Sequence, residues 1–338
     1  MKYNLLGNTG LKVSELCLGT MTFGGNKGIW GAIGSLQQDA VDTIIKHSVE
    51  GGINFIDTAN VYSEGVSEQL TGTAIRNLGL KRDDLILATK VRGKVGEGPN
   101  QIGLTRKHIL HQVEESLRRL QTDYIDLYQI HAYDALTPLE ETLYALDQLV
   151  SSGKVRYIGC SNLAAWHIMK ALSISDLKGY SRFVSLQAYY TIAGRDIERE
   201  IVPLLLDQKL GLMVWSPLAG GLLSGKYNRN TSPEEGRRIN FDFPPVNKDK
   251  AWNIVDVMQD LAKAKNVSVA QVALSWVLHQ PAVSTIIIGA KTTQQLEDNL
   301  KAVDLSLDAA DLEKLDAVSK LTPEYPGWML ERMSVDRK

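Results

Sequence analysis

The segment INFIDTANVYSEGVSEQLTG (53–72) begins as an apolar run, ends that run on Asp57 and reaches Tyr62 five residues later. Two further apolar runs stop on ionisable groups: LILATK (85–90) on Lys90 and IDLYQIH (125–131) on His131. Any one of these alone reads equally well as a satisfied polar group at a rim. Four converging from three neighbouring strands have a joint chemistry. A phenol titrates near about pH 10, too high for easy proton exchange at neutral pH. A lysine ammonium beside it favours the phenolate, and a carboxylate paired with the lysine keeps that ammonium charged in a partly dry site. An imidazole can hydrogen-bond a carbonyl oxygen and orient it. The set makes Tyr62 a tuned general acid. No Ser or Cys carries a base of its own, which speaks against covalent acyl transfer. Asp57 and His131 could instead be metal ligands. No H-x-H pair or carboxylate cluster joins them at another strand end, and Lys90 between them would repel a cation, so no metal is expected.

The elements that must bring these groups together follow from periodicity. Eight short apolar runs occur at 15–20, 53–59, 85–90, 125–131, 155–162, 183–188, 211–217 and 284–290. Continuous apolar runs of this length suit strands buried on both faces of a parallel sheet. Helical patterns lie between them. The stretch 35–52 starts at Ser35 as N-cap and ends on a glycine pair; 104–123 spaces Ile109, Val113, Leu117 and Leu120 on one face; 137–154 takes Thr137 as N-cap. Strand–helix alternation repeated eight times predicts an α/β fold, a (β/α)8 TIM barrel, over a single domain 1–338. The alternative, an open doubly wound sheet, wants a dinucleotide fingerprint after its first strand, and the glycines of GTMTFGGNKG lack that spacing. A small hairpin over 4–14 precedes the barrel. Long loops over 91–104 and 218–250 follow the third and seventh strands, at the C-terminal face where barrel chemistry gathers. That face also receives Ser161, Asn162, Gln187, Trp215 and Ser216.

The 338-residue chain carries a formal net charge of −2, with 44% hydrophobic and 22% charged residues. It has no long basic run, so nucleic acid and anionic membrane are not expected as partners. No window of 18 apolar residues and no signal-peptide core is present, and the two cysteines, Cys17 and Cys160, are too few for a disulfide framework. A cytoplasmic protein with reduced thiols is expected.

The motifs GINFIDTANVY (52–62), ATK (88–90), DLYQIH (126–131) and VRYIGCSN (155–162) resemble those of the aldo-keto reductases. SLQAYY (185–190), WSPLAGGLLSGKY (215–227) and IIIGAKTTQQLEDNL (286–300) extend the resemblance along nearly the whole chain. The resemblance implies a catalytic tetrad of Asp57, Tyr62, Lys90 and His131. It implies reduction of an aldehyde or ketone, with hydride from NADP(H) and a proton from Tyr62. It assigns Ser161, Asn162 and Gln187 to a clamp on the nicotinamide carboxamide and Trp215 to stacking on the ring, although barrel packing would explain a lone Trp as well. It also places Gly19, Thr20, Met21 and Asp57 among the cofactor-binding residues. Ser216, Pro217, Leu218, Gly221, Leu223, Gly225 and Lys226 follow the pyrophosphate, with Gly221 and Gly225 permitting close backbone approach. Gly289 opens the last stretch, Lys291 meets the 2′-phosphate, and Gln295, Asp298 and Asn299 meet the adenosine. Family members more often place an Arg at this helix start; Arg237 in the long loop is the candidate second cation. The longer segment between Tyr62 and Glu68 resembles the branch holding bacterial reductases and potassium-channel β-subunits. The alternative implied there is an NADP(H)-binding, partner-binding protein with slow turnover. A hydrolase or isomerase barrel would not need the cofactor-loop matches. Substrate walls are expected from Phe23, Trp30, 91–104 and the tail 320–338, whose aromatics could instead pack outside the barrel or join two subunits of a homo-oligomer.

Overall fold

The computed structural model describes residues 1–25, 28–227, 229, 238 and 241–335. Strands β1 (Tyr3–Leu5) and β2 (Lys12–Ser14) pair antiparallel as the expected hairpin. The eight predicted runs then become β3 (Leu16–Gly19), β4 (Phe55–Asp57), β5 (Ile86–Val91), β6 (Ile125–Ile130), β7 (Val155–Ser161), β8 (Phe183–Tyr189), β9 (Gly211–Trp215) and β10 (Val283–Ile288). They close into a barrel in the order β10-β3-β4-β5-β6-β7-β8-β9, every neighbouring pair parallel. The fold is a (β/α)8 TIM barrel.

The strands read as unbroken apolar runs because both faces are covered. Every residue of β5 and of β6 is buried. Side chains alternate between two environments. Ile56, Leu87, Tyr128 and Ile130 pack outward with the helices. Phe55, Ile86, Ala88, Leu127 and Met213 form a second cluster with Cys17, and Leu6 and Val13 of the hairpin region join it. The hairpin thus plugs the N-terminal end of the barrel with apolar surface. Each fully buried side chain of this size stabilises the fold by roughly 1.5–3 kcal/mol.

The helix Arg106–Leu120 shows how the outer layer is specified. Thr105 Oγ1 accepts from His108 N at its start, and Ile109, Val113, Leu117 and Leu120 are all buried along one face. Two expected caps are corrected. Ser35 does not cap the first long helix, which runs Gln38–Glu50 after Gln37 without a side-chain cap. Thr137 does not cap Leu139–Ser151; its hydroxyl donates instead to Asp134 Oδ2, which also accepts from Leu104 N. A carboxylate that ties two segments together outcompetes the local cap. Between β9 and β10 the helical segment expected after the seventh barrel strand consists of two helices, Lys248–Lys265 and Val269–Leu278, capped by Asn247 and Ser268. Among the described residues no helix is long and apolar enough to cross a membrane.

Candidate active site

The inward stripe of each strand changes character along the barrel. On β4 it runs Phe55, Asp57; on β5 it runs Ile86, Ala88, Lys90; on β6 it runs Leu127, Gln129, and then His131 just beyond the strand. Apolar residues fill the bottom and polar ones the C-terminal end. Register sets their neighbours: Asp57 lies beside Ala88, and Lys90 beside Gln129.

Lys90 is fully buried, and its three ammonium donors are all engaged. They reach Asp57 Oδ2 at 2.5 Å, Thr58 O at 2.8 Å and Tyr62 Oη at 3.2 Å. Burial works against the ammonium, but Asp57, and then Tyr62, more than offset it, so Lys90 holds its proton more tightly than an ordinary lysine. The other oxygen of Asp57 accepts from Gln129 Nε2 at 3.0 Å and Gln187 Nε2 at 2.9 Å.

Tyr62 stands at the head of a sharp turn, Tyr62–Gly65, in which Ser63 (φ 48°), Glu64 (φ 57°) and Gly65 (φ 90°) are all left-handed. Two consecutive non-glycine residues in that region cost of order 1–3 kcal/mol each. The surroundings hold them there. Ser63 Oγ donates to Phe23 O at 2.9 Å. One turn on, the buried Glu68 takes Arg119 Nε at 2.6 Å and Thr89 Oγ1 at 2.6 Å, and Arg119 packs on Gly65. The turn sets the phenol between three partners: Lys90, the ring of His131 edge-on at 5.8 Å, and Trp30 at 5.9 Å.

His131 N donates to Val91 O, and its carbonyl accepts from Asn162 Nδ2. Burial, then the positive charges of Lys90 and Arg92, pull the imidazole pKa down to about 3. The ring is therefore neutral at physiological pH.

These groups open into a cavity of about 990 Å³. Gly19, Thr20, Met21, Asp57, Tyr62 and His131 line one end. Ser161, Asn162, Gln187 and Trp215 line its middle, and Ser216, Pro217, Leu218, Gly221 and Lys226 its flank. Gly289, Lys291, Gln295, Asp298 and Asn299 line the far end, where Thr292 caps the helix Thr293–Leu300. Lys90 sits behind the wall. Two residues assigned to the phosphate loop do not join the lining: Leu223 is fully buried in the core, and Gly225 (φ 83°) backs onto Val269. Arg237 lies outside the described residues. Of the expected substrate walls, Trp30 lines the cavity, together with Ile33 and Val61. Phe23 is buried beneath it, and neither 91–104 nor the described tail contributes. Among the described residues no group of three or more His, Cys, Asp or Glu is placed to hold a metal.

Sequence reasoning missed Gln129 and Phe243. The ring of Phe243 lies parallel to Trp215 (11° between planes, centroids 6.0 Å apart) and lines the cavity. Phe243 sits in a long loop with no periodicity, so nothing in the sequence marked it. Gln129 carried a signal: the two-residue period that turns His131 and Leu127 inward turns Gln129 inward too.

A closed barrel with this cluster at the C-terminal ends of adjacent strands, opening into the cavity, defines an α/β barrel with a candidate active site. The chain belongs to the aldo/keto reductase family, whose model matches residues 15–320. Relatives span nearly its full length. An uncharacterized oxidoreductase, YrpG, of Bacillus subtilis is 38% identical over 97% of this chain and 100% of its own. A probable voltage-gated potassium channel subunit beta of Arabidopsis thaliana is 35% identical over 96% of this chain and 99% of its own. A versiconal hemiacetal acetate reductase of Aspergillus parasiticus is 35% identical over 97% and 99%.

Proposed function

We propose that the protein is an NADP(H)-dependent oxidoreductase that reduces an aldehyde or ketone to an alcohol, with Tyr62 as the proton donor. One observation carries this reading: a single buried ammonium contacts both Asp57 Oδ2 and Tyr62 Oη at the floor of the cavity. When bound, the nicotinamide supplies the hydride. The chain's own residues do the rest. Tyr62 gives its proton to the substrate oxygen, and Lys90 stabilises the phenolate left behind. Asp57 keeps Lys90 charged. Neutral His131 can donate a hydrogen bond to the same oxygen without competing as an acid, because it holds no extra proton at neutral pH.

The cavity fits a dinucleotide. Its volume lies at the top of the range for small-molecule sites, roughly 300–1,000 Å³. Ser216, Ala219, Gly220 and Gly221 all have positive φ, from 49° to 94°, and the amides of Ala219, Gly220 and Gly221 donate within the loop, so the chain folds tightly where Ser216, Gly220 and Gly221 border the cavity. A Cβ on Gly221 or Gly289 would meet no atom within 4 Å, so the backbone faces open space at both points. Trp215 is tethered by its indole N–H to Asn162 Oδ1 at 3.1 Å. Lys291 at the helix start suits a 2′-phosphate.

The potassium-channel relative supports a second reading, an NADP(H)-binding protein that serves a partner and turns over slowly. Titration with NADPH and NADH by tryptophan quenching, followed by turnover of an aromatic aldehyde, separates the two. Tight binding with turnover that Tyr62→Phe lowers by about 10²–10⁴ supports the reductase. Tight binding without turnover on a broad carbonyl panel favours the second reading, and no binding removes both.

A further inference from the structure

We infer that Gln129 is a positioning residue: wedged inside the barrel between Asp57 and Gln187, it joins Asp57 in fixing the amide of Gln187 so that its carbonyl oxygen is presented to the cavity. The inference rests on the reading of Gln187 as part of the nicotinamide clamp.

Asp57, as partner of the Lys90 ammonium, is a carboxylate and can only accept hydrogen bonds. Both amides that reach its Oδ1 must therefore present nitrogen. Gln129 Nε2 does so at 3.0 Å and Gln187 Nε2 at 2.9 Å. That orientation leaves Gln129 Oε1 facing its neighbour, where it accepts the second N–H of Gln187 at 3.3 Å. Both amide hydrogens of Gln187 are then engaged. What remains is Oε1, which has no hydrogen-bond partner among the described residues, on a side chain that lines the cavity. The opposite flip would set that oxygen against two others, Asp57 Oδ1 and Gln129 Oε1. All three side chains are buried, so no solvent would relieve the clash.

The barrel makes room for the wedge. Gly159 is the register partner of Gln129 on β7, and a Cβ there would come within 3.3 Å of Gln129 Cγ and 2.7 Å of Ser185 Oγ. An oxygen presented by Gln187 recognises a donor, and the carboxamide NH2 of a nicotinamide is such a donor. Gln129 thus acts on the cofactor through Gln187 without touching it.

The test compares NADP⁺ with its 3-acetylpyridine analogue, which carries a methyl where the carboxamide carries NH2. Binding is read by tryptophan quenching in the wild type, Gln129→Leu, Gln129→Met and Gln187→Leu. The wild type should prefer NADP⁺ by about tenfold, the worth of one hydrogen bond to a buried acceptor. Gln129→Leu and Gln129→Met should each lower that ratio by at least threefold, and Gln187→Leu should bring it close to one. The ratio is taken within one protein, so partial unfolding, which weakens both ligands alike, leaves it unmoved. The more isosteric Met variant guards against collapse of the core. An unchanged ratio in both Gln129 variants, with wild-type binding intact, overturns the inference and leaves the proposed function standing. A wild type that binds neither nucleotide overturns both.

Discussion

At one end of the cavity Lys90 is fully buried with each of its donors committed, and at the other Lys291 is exposed at the start of a helix. The first end is made of side chains that hold one another. Asp57 has three donors, Tyr62 stands on a strained turn, and Glu68 braces that turn through Arg119. The far end is held by side chains that tie down a helix start, with Asp298 accepting from Ser268 Oγ and Gln271 Nε2. Lys291 N donates to Gln295 Oε1, Gln295 N donates to Thr292 Oγ1, and Gly289 leaves open space beside the chain. Low dielectric makes each charge at the buried end worth more and each loss costlier. Solvent at the far end makes its contributions graded and screened by salt. The difference predicts cooperative failure at one end and gradual weakening at the other.

The largest effect should come from Lys90→Met. It leaves Asp57 buried with a charge and no counter-ion, which costs about 3–5 kcal/mol of stability. It also removes the group that stabilises the phenolate, so turnover should fall by at least about 10³. Urea denaturation and aldehyde turnover on the same preparation check both. Loss of turnover with unchanged stability would mean the buried end is not held by that pair.

The buried end was also the end readable from sequence, and the reason is geometric. Strands of a parallel barrel are apolar along their length, so a polar residue at a strand's end stands out, as Asp57, Lys90 and His131 do. The β-strand boundaries followed for the same reason. The helix caps did not: Thr137 was drawn away by Asp134, a contact made only in the folded chain. Leu223 and Gly225 lie off the cavity lining, and a loop of glycines and leucines gives no period from which to tell lining from core. Gln129 was legible by position. Its use was not, since which amide a buried carboxylate takes depends on three strands at once.

His131 gives the next effect, through pH. Its folded pKa of about 3 lies below the ordinary 6.5. Between those values the unfolded chain binds a proton that the folded chain refuses. The stability associated with neutral His131 is therefore complete above pH 6.5 and is lost as pH falls toward 3, amounting to roughly 1–3 kcal/mol by pH 4.5. His131→Asn should flatten that part of the stability profile relative to wild type, measured as urea midpoints at several pH values. Equal slopes for the two proteins would show that the imidazole is not held neutral.

Gly65→Ala probes the brace beneath Tyr62. At φ 90° an alanine is strained, and its Cβ would lie 2.9 Å from Arg119 Cδ. The expected cost is about 1–3 kcal/mol with a several-fold fall in turnover, since the turn positions the phenol. Gly79→Ala supplies the control: φ is 61° there, but a Cβ would meet nothing within 4 Å. Its cost should be smaller and its turnover unchanged. A Gly65→Ala protein that lost stability but not turnover would separate the brace from the chemistry.

The smallest effect belongs to the far end. Lys291→Ala should weaken NADPH by about tenfold, in keeping with one charge-assisted contact at a solvent-facing site, and should change NADH by less than about twofold. Because the lysine is exposed, added salt should weaken wild-type NADPH binding and shrink the gap between the two proteins, as screening over a Debye length of about 8–10 Å at moderate ionic strength requires. Stability should stay within about 0.5 kcal/mol of wild type, as for most surface substitutions. Equal losses for NADPH and NADH would remove Lys291 from the 2′-phosphate. A salt-independent loss would be as informative, since it would mean that ligand binding desolvates this end and makes it resemble the buried one.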